Sequence, residues 1–153
     1  MDNAQTAKAP VHLWIVGLLG LLWNSFGCYD YLMTRTENLD YLRQMAPGVD
    51  PNAMLEWANG FPLYAQFGWG LGVWMGLLGS ILLLMRHRWA VPALALSLLG
   101  AILGIGYQIL AAPPPPPPMD QNPMMTAMSY VIILIAALLY YYAHRQKQAG
   151  VLR

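Results

Sequence analysis

The sequence is poor in charge and in cysteine. Lys, Arg, Asp and Glu make up only 10% of its 153 residues, against roughly 25% in an ordinary soluble domain. Eight basic and seven acidic side chains leave a formal net charge of +1. With so little basic surface to displace counterions from a phosphate backbone, no nucleic-acid partner is expected. The single cysteine, Cys28, excludes an internal disulfide, a CxxC redox pair and a cysteine zinc site. A cleavable signal peptide is not expected either. The first apolar run has no strongly basic lead, and Trp23-Asn24-Ser25-Phe26 offers no small-x-small cleavage site. What remains is apolar: 58% of the residues are hydrophobic, which makes lipid the expected solvent. A chain of this length is one domain, with no room for a separate soluble one.

A spanning helix needs about 20 largely apolar residues, and four stretches supply them: residues 11–31, 61–85, 90–110 and 125–143. The first opens after Pro10, the second at Asn59 or Gly60 with Pro62 in its first turn, and the third with Pro92 near its start. The last contains the run from Val131 to Leu139. Each Ile, Leu or Val there contributes roughly −0.3 to −0.6 kcal/mol to insertion at the helix centre. The expected fold class is therefore all-α, a polytopic four-helix membrane bundle.

Direction follows from charge. With the amino terminus inside, the inner segments hold Lys8, Arg86, Arg88, Arg145, Lys147 and Arg153, and the outer ones only Arg35 and Arg43. That distribution obeys the positive-inside rule and places both termini in the cytoplasm. Acids sort oppositely, with Asp30, Glu37, Asp40, Asp50, Glu56 and Asp120 outside and only Asp2 inside. The short Arg86-His87-Arg88 link predicts an antiparallel hairpin between the second and third spans.

The first outer loop, residues 34–60, is patterned. Leu39, Leu42 and Met45 give one apolar face to a short helix beginning near Thr36, and Asp50-Pro51 starts another carrying Met54, Leu55, Trp57 and Ala58. Both read as amphipathic helices on the outer leaflet or over the bundle. The second outer loop contains six consecutive prolines, Pro113 to Pro118. An extended polyproline segment at about 3.1 Å per residue is long enough to cross the bundle; a spacer is the preferred reading, a recognition handle the other.

Polar residues inside apolar spans are the candidates for chemistry. Asn24 and Ser25 need hydrogen-bonding partners, so both are expected to face other helices. Asp30 sits about 20 residues from the inner start, roughly 30 Å along the axis, at the outer interface and not mid-membrane. There it caps a helix or pairs with Arg35, whereas at the bilayer centre it would cost about 2.5–3.5 kcal/mol and would demand a function. Gln66 and Gln108 fall at the same depth, so Asn24, Asp30, Gln66 and Gln108 form a candidate outward-opening polar pocket. An interfacial belt with Tyr29, Tyr64 and Tyr107 is the favoured alternative. Gly72 with Gly76, and Gly100 with Gly104, are small-xxx-small pairs that let helix backbones approach, within the bundle or at a homodimer seam. Met119, Met124, Met125 and Met128 cluster at the outer start of the fourth span, with Met45 and Met54 in the other outer loop. Thioethers suit Cu(I), but no His or Cys joins them and methionine also fills apolar gaps. His12, His87 and His144 lie at inner helix ends as interface residues. No cofactor, metal or catalytic group is expected, and nothing points to an enzyme.

The stretches Trp23 to Gly27, Asp30-Tyr31, Met33 to Thr36, Phe61-Pro62, Gly72-Val73-Trp74, Gly76 to Ser80, and Arg86 to Ala93 with Ser97 are similar to those of a group of small bacterial four-helix inner-membrane proteins. Some of that group are labelled sugar transporters. The resemblance spans about residues 23–108 and implies a bacterial inner-membrane location, four helices and a transport role. The residues themselves point first to an accessory or structural component of a membrane assembly. Small-solute transport by a homo-oligomer is the alternative. The bilayer, a homodimer and a larger membrane complex are the expected partners.

Overall fold

The computed structural model describes residues 8–153; Asp2, assigned to the inner side on charge, lies outside them. Within this range the chain is helical, without a strand. It comprises α1 (Val11–Arg35), α2 (Leu39–Met45), α3 (Pro51–Asn59), α4 (Leu63–Leu84), α5 (Ala90–Leu110), a 3₁₀ turn at Met119–Gln121, and α6 (Pro123–Gln148). Among the described residues α1, α4, α5 and α6 are long and apolar enough to cross a membrane, with mean hydropathies of 1.5 to 1.9.

Helix ends follow local chemistry. Asn38 caps α2 by accepting from the Tyr41 N–H, Asp50 caps α3 at Asn52 ahead of Pro51, and Asn122 caps α6 at Met124 ahead of Pro123. Each side-chain oxygen satisfies a backbone donor that the helix leaves unpaired, and proline at the first position sacrifices no bond. Thr36 closes α1 instead of opening the next helix, its hydroxyl donating to the Leu32 carbonyl at 2.8 Å. Asn59 and Gly60 finish α3, and Pro62 stands at the N-cap of α4. Three helices end in the same double bond. Asn38 N–H donates to Met33 O, His87 to Leu82 O and Val151 to Gln146 O, with Glu37, Arg86 and Gly150 at positive φ between. This is the Schellman arrangement, in which the left-handed residue is cheapest as glycine.

The antiparallel pair α4–α5 is the spine, with α1 laid on α4 and α6 on α5. α1 and α6 meet toward the end of the bundle that carries the α4–α5 turn, where Gly20 faces Leu139 and His12 is hydrogen-bonded to Tyr142. Their outward faces stay apolar and exposed, with Leu18, Leu22, Leu134 and Leu138 all more than half exposed. That is the pattern of a bundle solvated by hydrocarbon. The core concentrates at the end of the α4–α5 turn, around Leu13, Leu83, Leu94, Leu139 and Ala143. Val151 and Leu152, beyond the last helix, complete it. Gly150 at φ 71° reverses the chain. Arg153 N–H then donates to Arg86 O at 2.8 Å, while Arg88 N–H donates to Arg153 O at 2.7 Å. The tail thus docks on the α4–α5 turn.

Candidate functional site

Asn24 and Ser97 inside the long helices bond to neighbouring helices, whereas Ser25, expected to face another helix, is exposed. The Asn24 amide on α1 donates to Gly20 O at 2.8 Å and to the Ser80 hydroxyl on α4 at 3.1 Å. Ser80 in turn donates to Gly76 O at 2.9 Å. Ser97 on α5 donates across the seam to Gly72 O at 2.7 Å. Glycine makes this possible. A β-carbon on Gly76 would run into Asn24 Oδ1 and would stand 2.9 Å from Ser97 Oγ. One on Gly72 would stand 3.2 Å from the Ala101 nitrogen, and one on Gly104 3.1 Å from the Trp69 nitrogen. One on Gly100 would meet the Gly72 backbone itself. Among the described residues no buried side-chain nitrogen or oxygen lacks a partner. Such bonds between transmembrane helices contribute about 0.6 kcal/mol each on average, up to about 2.

The other three candidate pocket residues join different sets. Asp30 accepts from the Tyr41 hydroxyl at 2.8 Å, which fastens α2 to the end of α1. Tyr29 meets the Tyr41 ring edge-on at 5.4 Å. Burial first, and then the bond and charge of Asp30, push the Tyr41 phenol well above its ordinary value. Arg35, the partner expected for Asp30, donates instead to Asn59 Oδ1 and Gln66 Oε1, both at 3.2 Å. Gln66 donates to Asn59 O at 3.0 Å and Phe61 O at 2.7 Å. The Arg35–Asn59–Gln66 group therefore ties the ends of α1 and α3 to the start of α4. Gln108 on α5 donates to Ser129 on α6 at 3.4 Å. Asn24, Asp30, Gln66 and Gln108 thus act at four separate junctions.

At the end of the bundle capped by α2 and α3 lies an aromatic train. Trp57–Phe61, Phe61–Tyr107 and Tyr64–Tyr107 all meet edge-to-face at 4.8 to 5.9 Å, an arrangement worth about 0.5–1.5 kcal/mol per pair. The Trp57 indole donates to Pro113 O at 2.8 Å, fixing the start of the proline run against α3. The run does not stay extended. It bends from Pro116, whose carbonyl accepts from Met119 N at 2.9 Å. Met119 is buried, Met125 half-buried, and Met124 and Met128 exposed, so the methionines do not share one environment. Trp57→Phe keeps the ring and removes the donor. It is expected to lower stability by about 1 kcal/mol and to raise the labelling rate of a cysteine placed at Pro116 in a Cys28→Ala background. An unchanged rate would show that the strap is held without the indole bond.

Two open depressions mark the surface at opposite ends of the bundle. One, of about 280 Å³, lies between α3 and the prolines, lined by Glu56, Trp57, Gly60 and Pro113 among others. The other, of about 300 Å³, lies at the α4–α5 turn and is lined by Met85, Arg86, His87 and Arg153. Among the described residues no three His, Cys, Asp or Glu side chains gather as metal ligands would. Comparison with protein-family models, curated proteins and solved structures returned no match.

Sequence reasoning singled out Asn24 and the glycines but gave no bonding role to Ser80, Ser97 or Ser129. A serine four residues after Gly76 is an available signal, because its hydroxyl bonds back to the i−4 carbonyl. The docking of Arg153 on the Arg86–Arg88 turn has no comparable local signal.

Proposed function

We propose that the chain is an integral protein of the bacterial inner membrane, crossing it four times with both termini in the cytoplasm, and that it serves as an accessory or structural component of a membrane assembly. The observation that carries this reading is the use of the intramembrane polar groups. Asn24, Ser80 and Ser97 are committed to holding α1, α4 and α5 together, as interhelical glue does. The outer latches through Asp30, Arg35 and Gln66 do the same for the cap formed by α2 and α3. The sidedness rests on Arg86, Arg88, Arg145, Lys147 and Arg153 gathering at one end of the bundle.

Two experiments test this. A cysteine at position 87 should be shielded from impermeant thiol reagents in intact cells, while one at position 116 is labelled, both in a Cys28→Ala background; the reverse pattern overturns the topology. Extraction in mild detergent should yield a particle containing a stoichiometric second subunit. A clean homodimer would point instead to small-solute transport by a homo-oligomer, since two chains supply eight helices with which to wall a path.

A further inference from the structure

We infer that the cavity at the inner end, between Met85, Arg86, His87 and Arg153, is a phosphate site, and that it takes the headgroup of an anionic phospholipid from the cytoplasmic leaflet. The inference rests on the membrane-spanning reading above. The cavity holds about 300 Å³, at the lower end of the range for small-ligand sites. Arg86, His87 and Arg153 line it, and Arg88 follows in the same turn. Basic pockets at the cytoplasmic ends of transmembrane helices are where anionic headgroups bind.

Two features show that the arrangement is built. Arg86 occupies left-handed space at φ 59°, where glycine would be cheaper and an arginine persists only if its surroundings hold it. They do: its Nε–H donates to Val151 O at 3.2 Å. Arg153 reaches the cavity because Val151 and Leu152 are buried and its own backbone is bonded on both sides to the turn. The wall changes character toward the hydrocarbon. Met85 and Trp89 are 67% and 58% exposed there, and indole rings favour the headgroup level. A phosphate held by the arginines would thus have apolar surface beside it for its acyl chains, which selects a lipid over free phosphate.

The test uses the full chain in mild detergent, with retained lipid read by native mass spectrometry and thermal unfolding read in parallel. Phosphatidylglycerol should be retained one per chain and should raise the unfolding temperature, while phosphatidylcholine and millimolar inorganic phosphate do neither. Arg153→Ala, whose backbone bonds are unaffected, should weaken phosphatidylglycerol binding about fivefold, the ratio equivalent to about 1 kcal/mol per lost basic group; Arg153→Lys should restore most of it. Equal retention of both lipids, protection by inorganic phosphate matching that by phosphatidylglycerol, or wild-type binding by Arg153→Ala would each overturn the proposal. A chain recovered in the aqueous fraction without detergent would fail the membrane reading itself. A chain that needs detergent yet shows no lipid preference would fail only this site.

Discussion

Gly100→Val is expected to be the most damaging single substitution within the spans. A β-carbon at this position would lie 2.6 Å from Gly68 O and 2.8 Å from Gly72 Cα, and closer still to Gly72 N. All three are backbone atoms of α4, so no rotamer change relieves the clash and the two central helices must separate. Overpacking a well-packed core typically costs about 1–3 kcal/mol. Here the separation also breaks the Ser97–Gly72 bond and disturbs Gly76, against which Asn24 rests. A loss of about 3 kcal/mol or more is therefore expected, read from unfolding as mild detergent is exchanged for a denaturing one. Gly106→Ala is the control. Its β-carbon would meet only Ile102 Cγ2, at 4.0 Å, so stability should stay within about 0.5 kcal/mol of the parent. Equal stability of the two variants would remove the close α4–α5 approach from the account.

What could be read in the sequence divides by range. Apolar runs such as Val131 to Leu139 announce long helices because hydrocarbon rewards composition over about 20 residues, a local property. The boundaries depend on finer contests. α1 runs on to Arg35, past the expected end at Tyr31, since Met33 and Thr34 still support helix and the Thr36 hydroxyl supplies the stop. α6 continues from Ala143 to Gln148 because the basic residues Arg145 and Lys147 suit the negative end of a helix dipole.

The candidate pocket shows the limit of depth as a guide. Asn24, Asp30, Gln66 and Gln108 were grouped by distance along their helices, which fixes height but not azimuth or partner. In the structure azimuth decides. Asp30 meets Tyr41, on a helix whose position over α1 no span-by-span reading supplies, and Arg35 turns to Asn59 and Gln66. The glycines differ because a small residue has few uses in a span besides close approach. Gly72 and Gly100 face one another across the α4–α5 seam.

The tail supplies the other large effect. Leu152→Asp is expected to release Val151, Leu152 and Arg153 from the end of the bundle that carries the α4–α5 turn. Leu152 is only 5% exposed, within the cluster that holds Leu13, Leu83 and Leu139. A carboxylate cannot remain there unpaired, because desolvating the charge costs several kcal/mol, so the segment undocks instead. Stability should fall by about 2–4 kcal/mol, the range for losing a buried leucine, with local release setting the ceiling. The loss should be regional. Arg88 N–H gives up its bond to Arg153 O, and the Arg86 guanidinium loses Val151 O, so the α4–α5 turn should become a trypsin site that the parent protects. Gly150→Ala tests the same hinge more gently. Its β-carbon meets nothing within 4 Å, but φ is 71°, and the left-handed strain of roughly 1–2 kcal/mol should leave the tail docked at reduced stability. A Leu152→Asp variant as stable and as trypsin-resistant as the parent would mean that the last three residues contribute nothing to the bundle. The inner cavity would then lose the Arg153 wall on which its phosphate chemistry depends.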